Sequence, residues 1–177
     1  MLHTKNISAL SLLLVCFCSS CFNQVSGKTI RNRHYKYSIE LPATMVEVED
    51  SAAQQNSETY FDTTNEIVLS INSSLSIYSS VRDYVDCSKA QLENELRINY
   101  GDSTLTLLSC ANSKYYANKT VVLYLHVGNM SEGFDQSLIY FVHHRNRDLQ
   151  FVFLLKGAHA KENLKYIDNV MQKLKLL

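Results

Sequence analysis

Residues 121–156 read VVLYLHVGNMSEGFDQSLIYFVHHRNRDLQFVFLLK, and the fold follows from them. A strand points successive side chains to opposite faces. Val121, Leu123, Leu125 and Val127 then share one face, and Val122, Tyr124 and His126 the other. In the second run Leu138, Tyr140 and Val142 oppose Ile139 and Phe141; in the third Leu149, Phe151, Phe153 and Leu155 oppose Val152 and Leu154. The links are short: Gly128 to Gly133, rich in turn residues, and Arg145-Asn146-Arg147-Asp148. A parallel return needs about a dozen residues or more, so the three runs form an antiparallel meander. Both faces are apolar, so both need cover, and helices are the natural cover.

Working outward, His34 to Leu41 alternates, with Tyr35, Tyr37, Ile39 and Leu41 on one face, and Pro42 stops it. Met45 to Val48 extends that strand after a kink. Glu58–Asp62, Glu66–Ser73 and Thr104–Ala111 read as further strands, with Thr63-Thr64-Asn65 as a turn. Ser80 to Tyr100 reads as a helix, with Ser80 and Asp83 in the spacing of a capping box and Gly101 as its stop. Val81, Tyr84, Val85, Leu92, Leu96 and Tyr100 form its stripe; Lys89, Glu93, Glu95 and Arg97 face away; Asp86-Cys87-Ser88 leaves a break open. Ala158 to Leu177 is a second helix, with Leu164, Ile167, Val170, Met171 and Leu174 on one face. The expected fold is α+β, a three-layer α/β/α sandwich whose mostly antiparallel sheet carries a helix on each face.

The opening KYSIELPATM, the aromatic strand LQFVFLL and the closing helix IDNVMQKLK resemble the PsbP-like fold, in the same order of elements. The resemblance covers residues 34–177 and extends to bacterial lipoprotein members of that fold, DcrB-like proteins among them. The family usually has an aromatic just after the Leu-Pro, where this chain has Ala43, Thr44 and Met45, and this chain has no Trp. The resemblance implies a fold and an extracytoplasmic scaffold; it implies no catalytic residue.

The N-terminus supplies an address. Lys5 precedes the apolar run Ile7 to Phe17, and small residues follow, which is the pattern of a secretory signal. The run falls short of the roughly 20 residues a membrane span needs. Cys18-Ser19-Ser20-Cys21 resembles a bacterial lipobox, with small Ser20 before Cys21 as the residue to be lipidated; Cys18 stands where Leu or Val is usual. The domain plan is a signal over 1–20, a lipidated cysteine and flexible tether over 21–33, and the folded domain over 34–177. The protein is then lipid-anchored in the cell envelope, periplasmic or at the cell surface, and secreted if the lipobox fails. Two cysteines remain, Cys87 and Cys110. An exporting compartment permits a bridge between them, and two separate buried thiols are the alternative.

Lys plus Arg equals Asp plus Glu at 17 each, which gives no support to nucleic-acid binding or a polybasic membrane patch. Arg31, Arg33 and His34 cluster, as do His143, His144, Arg145 and Arg147; they read as solvated turns. His126 could meet His143 or His144 across strands, but there is no HExxH and no zinc-spaced cysteine pair, so no metal and no cofactor is expected. No GxSxG is present, and Glu47/Glu49 and Glu93/Glu95 read as surface charge. Tyr115 and Tyr116 are the candidate interaction patch. The expected protein is a non-enzymatic envelope lipoprotein that binds another envelope protein or a small ligand and meets the membrane through its lipid alone. The alternatives are an inhibitor- or immunity-type binder of an extracytoplasmic enzyme, and a small envelope hydrolase or metal-binding protein.

Overall fold

The computed structural model describes residues 27–48, 57–74, 88–112, 120–128, 133–145 and 147–177. Ten strands and two α-helices are described: β1 (Lys28–Asn32), β2 (Tyr37–Leu41), β3 (Met45–Glu47), β4 (Ser57–Asp62), β5 (Ile67–Ser74), α1 (Lys89–Tyr100), β6 (Thr106–Asn112), β7 (Thr120–His126), β8 (Gln136–His144), β9 (Arg147–Leu155), α2 (Ala160–Met171) and β10 (Lys175–Leu176). They form a seven-stranded sheet, order β3-β4-β5-β9-β8-β7-β6, and a three-stranded sheet, order β1-β2-β10. Every described strand pair is antiparallel.

The meander forms as its alternation requires. Leu138 sits opposite Phe153 and Tyr140 opposite Phe151, while Ile139 faces Leu123 on one neighbour and Val152 on the other. Odd and even positions of β8 therefore feed two different cores. One gathers Leu138, Tyr140, Val142, Phe151 and Phe153 with Tyr37, Ile39 and Leu41 of β2 and Ile167, Val170 and Met171 of α2. The other gathers Ile139, Phe141, Val121, Leu123 and Leu125 with Leu92 and Leu96 of α1. Phe151 and Phe153 are fully buried, and truncating either to alanine costs about 3–5 kcal/mol.

Several expectations need correction. The tether expected to run to Arg33 ends sooner, because Lys28–Asn32 is a strand paired with β2, Lys28 opposite Leu41 and Asn32 opposite Tyr37. His34 and Tyr35 lie in the turn between them rather than in β2. Met45–Glu47 does not extend β2; it crosses to the large sheet and pairs with β4. The closing helix ends at Met171, and Lys175–Leu176 pairs with Ser38 and Tyr37 of β2. The small sheet thus shares the cover of the first core with α2.

The described helix α1 begins at the point left open in the sequence. Ser88 is its N-cap in a complete capping box, Gln91 N–H to Ser88 Oγ and Ser88 N–H to Gln91 Oε1, and left-handed Gly101 is its C-cap. The Ser80/Asp83 start falls outside the described residues. Tyr100 is not on the buried stripe but half exposed. Glu93 and Arg97 do not simply face away. Glu93 Oε2 accepts the Leu107 N–H at 2.8 Å, Arg97 Nε donates to the Leu105 carbonyl at 2.7 Å, and the two side chains pair at 2.9 Å. They occupy backbone groups on the outer edge of the sheet, which would otherwise invite another strand.

Candidate binding surface

One end of the domain collects segments far apart in the chain. The pairs Asn32–Tyr37, Ser57–Asn72, Ser74–Asp148 and His144–Arg147 all lie there. The turn Arg33-His34-Tyr35-Lys36 is tied to the β8–β9 turn directly. The Arg147 guanidinium lies over the Tyr35 ring, 5.5 Å from its centroid, and His34 stacks edge-on to Tyr35 at 4.6 Å. The chain end completes the tie: Leu177 N–H donates to the Lys36 carbonyl at 2.7 Å, and His144 Nε2 lies 3.2 Å from the Leu177 carbonyl oxygen. Arg31 and Lys175 both register with Ser38, so they flank it on the outer face of the small sheet.

Both turns carry residues in the left-handed region, Lys36 at φ 58° and Arg145 at φ 50°, where glycine or asparagine is the easier choice. The pairing of His144 with Arg147 makes the β8–β9 link tighter than the four-residue turn expected. On the opposite face His143 Nδ1 lies 2.8 Å from Asp148 Oδ1, and Asp148 is buried. His126 registers with Gln136, at the other end of β7 and β8, six steps from the Thr120–Val142 pair. It therefore lies roughly 20 Å from His143, and the two cannot share a metal. Among the described residues no group of three or more His, Cys, Asp or Glu is placed to hold a metal ion.

Beside Tyr35 is a cleft of about 70 Å³, lined by Asn32, Tyr35, Tyr37, Ser57, Glu58, Ile71, Asn72, Ser73 and Leu149. It is far below the roughly 300–1,000 Å³ of a typical organic-ligand pocket. Glu58 dominates its polar wall. Its carboxylate accepts from Asn32 Nδ2 at 3.1 Å and from the Tyr37 and Tyr60 hydroxyls, each at 3.2 Å. Burial, then the charge of Glu58, pushes both phenols well above the ordinary tyrosine range, so they stay protonated donors. Neither is set up as a base. Sequence reasoning passed over Glu58; its place in the alternation of β4, one position from Thr59 and two from Tyr60, is the signal that was there to use.

Of the remaining expected site residues only Cys110 is described. Cys21, Cys87, Tyr115 and Tyr116 lie outside the described residues. Cys110 is exposed on β6 opposite Leu123, although enough chain surrounds its sulfur for desolvation to push the thiol pKa up, away from the activated range.

The molecule is thus an antiparallel two-sheet α+β domain with a compact, cation-bearing end. Among solved structures it is similar to the cyanobacterial PsbP (CyanoP) of Synechocystis sp. PCC 6803, with a TM-score of 0.62 and 13% identity over 89% of this chain and 98% of that one. It is also similar to the Saccharomyces cerevisiae Ran-binding protein Mog1p, with a TM-score of 0.59 and 7% identity over 86% and 96%. A third is the Pseudomonas aeruginosa protein of unknown function PA94, with a TM-score of 0.50 and 15% identity over 86% and 98%. The chain has the PsbP-like fold. No protein-family model matches the sequence, so the narrower resemblance to DcrB-like proteins has no such support, and no curated protein matches it.

Proposed function

We propose that this chain is a non-enzymatic, lipid-anchored module of the bacterial cell envelope that binds a partner protein through the end carrying the 33–36 and 145–147 turns. The observation that carries the binding role is the junction of those two turns through Tyr35, Arg147 and Leu177, which assembles an exposed surface from three distant segments. The cleft beside it favours a protein over a small molecule, since its volume is small and Glu58 is already engaged by three donors. Two buried carboxylates elsewhere are similarly engaged. Asp62 and Asp102 are buried and hydrogen-bonded, and both carboxyls are held below their ordinary range. A protein of the same fold, Mog1p, is by its name a Ran-binding protein, which agrees with a protein-binding use of this architecture. The three-layer arrangement with a helix on each face belongs to the same proposal, supported by Leu92 and Leu96 in one core and Ile167 and Met171 in the other.

The anchor rests on Ser20-Cys21 and the leader before it. Intact mass of the protein expressed with its own leader in a Gram-negative host, with and without reductant and alkylation, tests it. A triacylated Cys21 product that moves to the soluble fraction in Cys21→Ser is expected, with Cys87 and Cys110 alkylated only after reduction. An unlipidated product with two reactive thiols would remove both the anchor and the bridge.

A further inference from the structure

Two four-residue turns in this molecule are built alike. Between β1 and β2, Asn32 Oδ1 accepts the Tyr35 N–H at 2.9 Å, and Lys36 is left-handed at φ 58°. Between β4 and β5, Asp62 Oδ1 accepts the Asn65 N–H at 3.0 Å, and Glu66 is left-handed at φ 51°. In each, a side-chain oxygen on the last strand residue closes the turn and the fourth turn residue carries the reversal. The geometry asks for that oxygen and that dihedral, and it does not ask for cations. The second turn reads Thr63-Thr64-Asn65-Glu66; the first reads Arg33-His34-Tyr35-Lys36.

Some cations elsewhere are paired and others, Lys89, Lys161 and Lys165, are exposed without an acidic partner among the described residues, but none of these unpaired ones is an arginine. Lys28, Arg97, Lys156 and Lys173 hold Glu47, Glu93, Glu66 and Glu40 respectively, at 2.8–3.1 Å. Arg31, Arg33, Lys36 and Arg145 are exposed, and among the described residues none has an acidic partner at that range. The side-chain type is selective too. The chain has more lysines than arginines, eleven to six, yet four of the six arginines are Arg31, Arg33, Arg145 and Arg147. A guanidinium presents a planar fork that matches a carboxylate, and arginine and tyrosine are enriched where proteins meet.

We propose that this surface, Arg31, Arg33, Lys36, Arg145 and Arg147 grouped around Tyr35, docks an acidic protein surface, whose carboxylates enter the guanidinium forks. The proposal deepens the binding role above and rests on it. Two features favour a protein over an anionic membrane. β1 leads from Gly27 at one end of the domain to Asn32 at the other, a span of roughly 16 Å, so an anchor attached ahead of Gly27 joins the end away from the arginines. Glu58 also lines the cleft beside Tyr35. Its negative charge weakens attraction to a uniformly anionic layer.

The test uses the full chain as the host processes it, with poly-L-glutamate as the acidic polypeptide and vesicles with and without phosphatidylglycerol as the membrane arm. The expected result is binding to poly-L-glutamate that weakens as salt rises from about 0.05 to 0.2 M, with amide shifts confined to 31–36 and 143–148. The variant Arg31→Ala/Arg33→Ala/Arg145→Ala/Arg147→Ala should lose about tenfold or more in affinity. The charge-matched Lys28→Ala/Lys156→Ala/Lys161→Ala/Lys165→Ala should retain it, and phosphatidylglycerol should add nothing to vesicle association. Equal loss in both variants, retained binding in the first, or no binding of poly-L-glutamate at all would overturn the proposal. So would tighter association with phosphatidylglycerol vesicles, which would make the surface a membrane contact. The anchor is judged separately: an unmodified Cys21 with poly-L-glutamate binding intact removes the anchor and leaves the surface standing.

Discussion

The two ends of the domain use charge in opposite ways. At one, acids turn inward and are consumed by the backbone. Asp62 is fully buried and accepts from the Thr64 and Asn65 N–H groups, Asn65 Nδ2 and the Tyr166 hydroxyl. Asp102 accepts from the Thr104 N–H at 2.8 Å, the Thr104 hydroxyl at 2.6 Å and the Gly128 N–H at 3.2 Å. Glycine is needed at 128, because a Cβ there would collide with the Thr104 hydroxyl. Asp135 Oδ1 accepts the Gly157 N–H at 2.6 Å. At the other end Asp148 and Glu58 are engaged too, but exposed arginines stand in and beside a turn built like the one Asp62 closes. Charge that closes a turn is part of the fold, whereas charge that the turn does not require is left for something else to meet.

The largest effect should come from the inward-facing end. Asp62→Ala removes a fully buried charged acceptor that four hydrogen bonds share and should cost roughly 3 kcal/mol, read as a lower urea midpoint with an unchanged slope. The same end governs acid stability. For Asp62 burial is the strongest single influence and raises the pKa, but the bonds from Tyr166, Asn65 and Thr64 together hold it below 3.8. For Asp102 the Thr104 hydroxyl is the main cause of the lowering, followed by the Thr104 N–H. Both carboxyls release their protons more readily folded than unfolded. Their stabilisation is therefore complete above the ordinary carboxylate range and is lost as pH falls through it and on through the lowered folded values. Asp62→Asn should be less stable at neutral pH and show a flatter fall in stability on acidification; an unchanged acid limb would contradict the assignment.

A smaller effect is expected at the sheet edge. Glu93→Ala removes the acceptor for the Leu107 N–H and should cost about 1 kcal/mol, with faster hydrogen exchange at Leu107. Smaller still, and opposite in sign, Lys36→Gly and Glu66→Gly should each stabilise by several tenths of a kcal/mol, because each relieves a left-handed non-glycine residue. The pair sharpens the comparison, since only Lys36→Gly should weaken poly-L-glutamate binding. Last, tyrosinate absorbance during alkaline titration should show Tyr37, Tyr60 and Tyr166 ionising only as the protein unfolds. Burial raises all three, so they favour the folded state up to the ordinary tyrosine range and lose that contribution above it.

Much of this fold is legible in the chain because period-2 alternation is strong where both faces are buried. Val121 to Leu155 fixes three strands, their order and their faces with no outside help. The small sheet is not legible. KTIRN has one apolar side chain and becomes a strand only because β2 offers it an edge. Leu174, Lys175 and Leu176 continue the helical period of α2, and pairing with Tyr37 and Ser38 overrides that preference. The binding surface was half legible. Both basic clusters stand out in the sequence, but more than a hundred residues separate them, and nothing local places Arg147 over Tyr35. Glu93 looked like surface charge because the strand edge it covers begins beyond the end of its own helix.

The most direct test is to transplant one turn into the other. Arg33→Thr/His34→Thr/Tyr35→Asn/Lys36→Glu gives the first turn the sequence of the second while keeping Asn32. Affinity for poly-L-glutamate is measured beside the urea midpoint. Retained folding with binding lost is the predicted result, since the turn needs only its cap and its left-handed residue. Retained folding with binding unchanged would contradict it, and loss of folding would show that the cations belong to the fold after all.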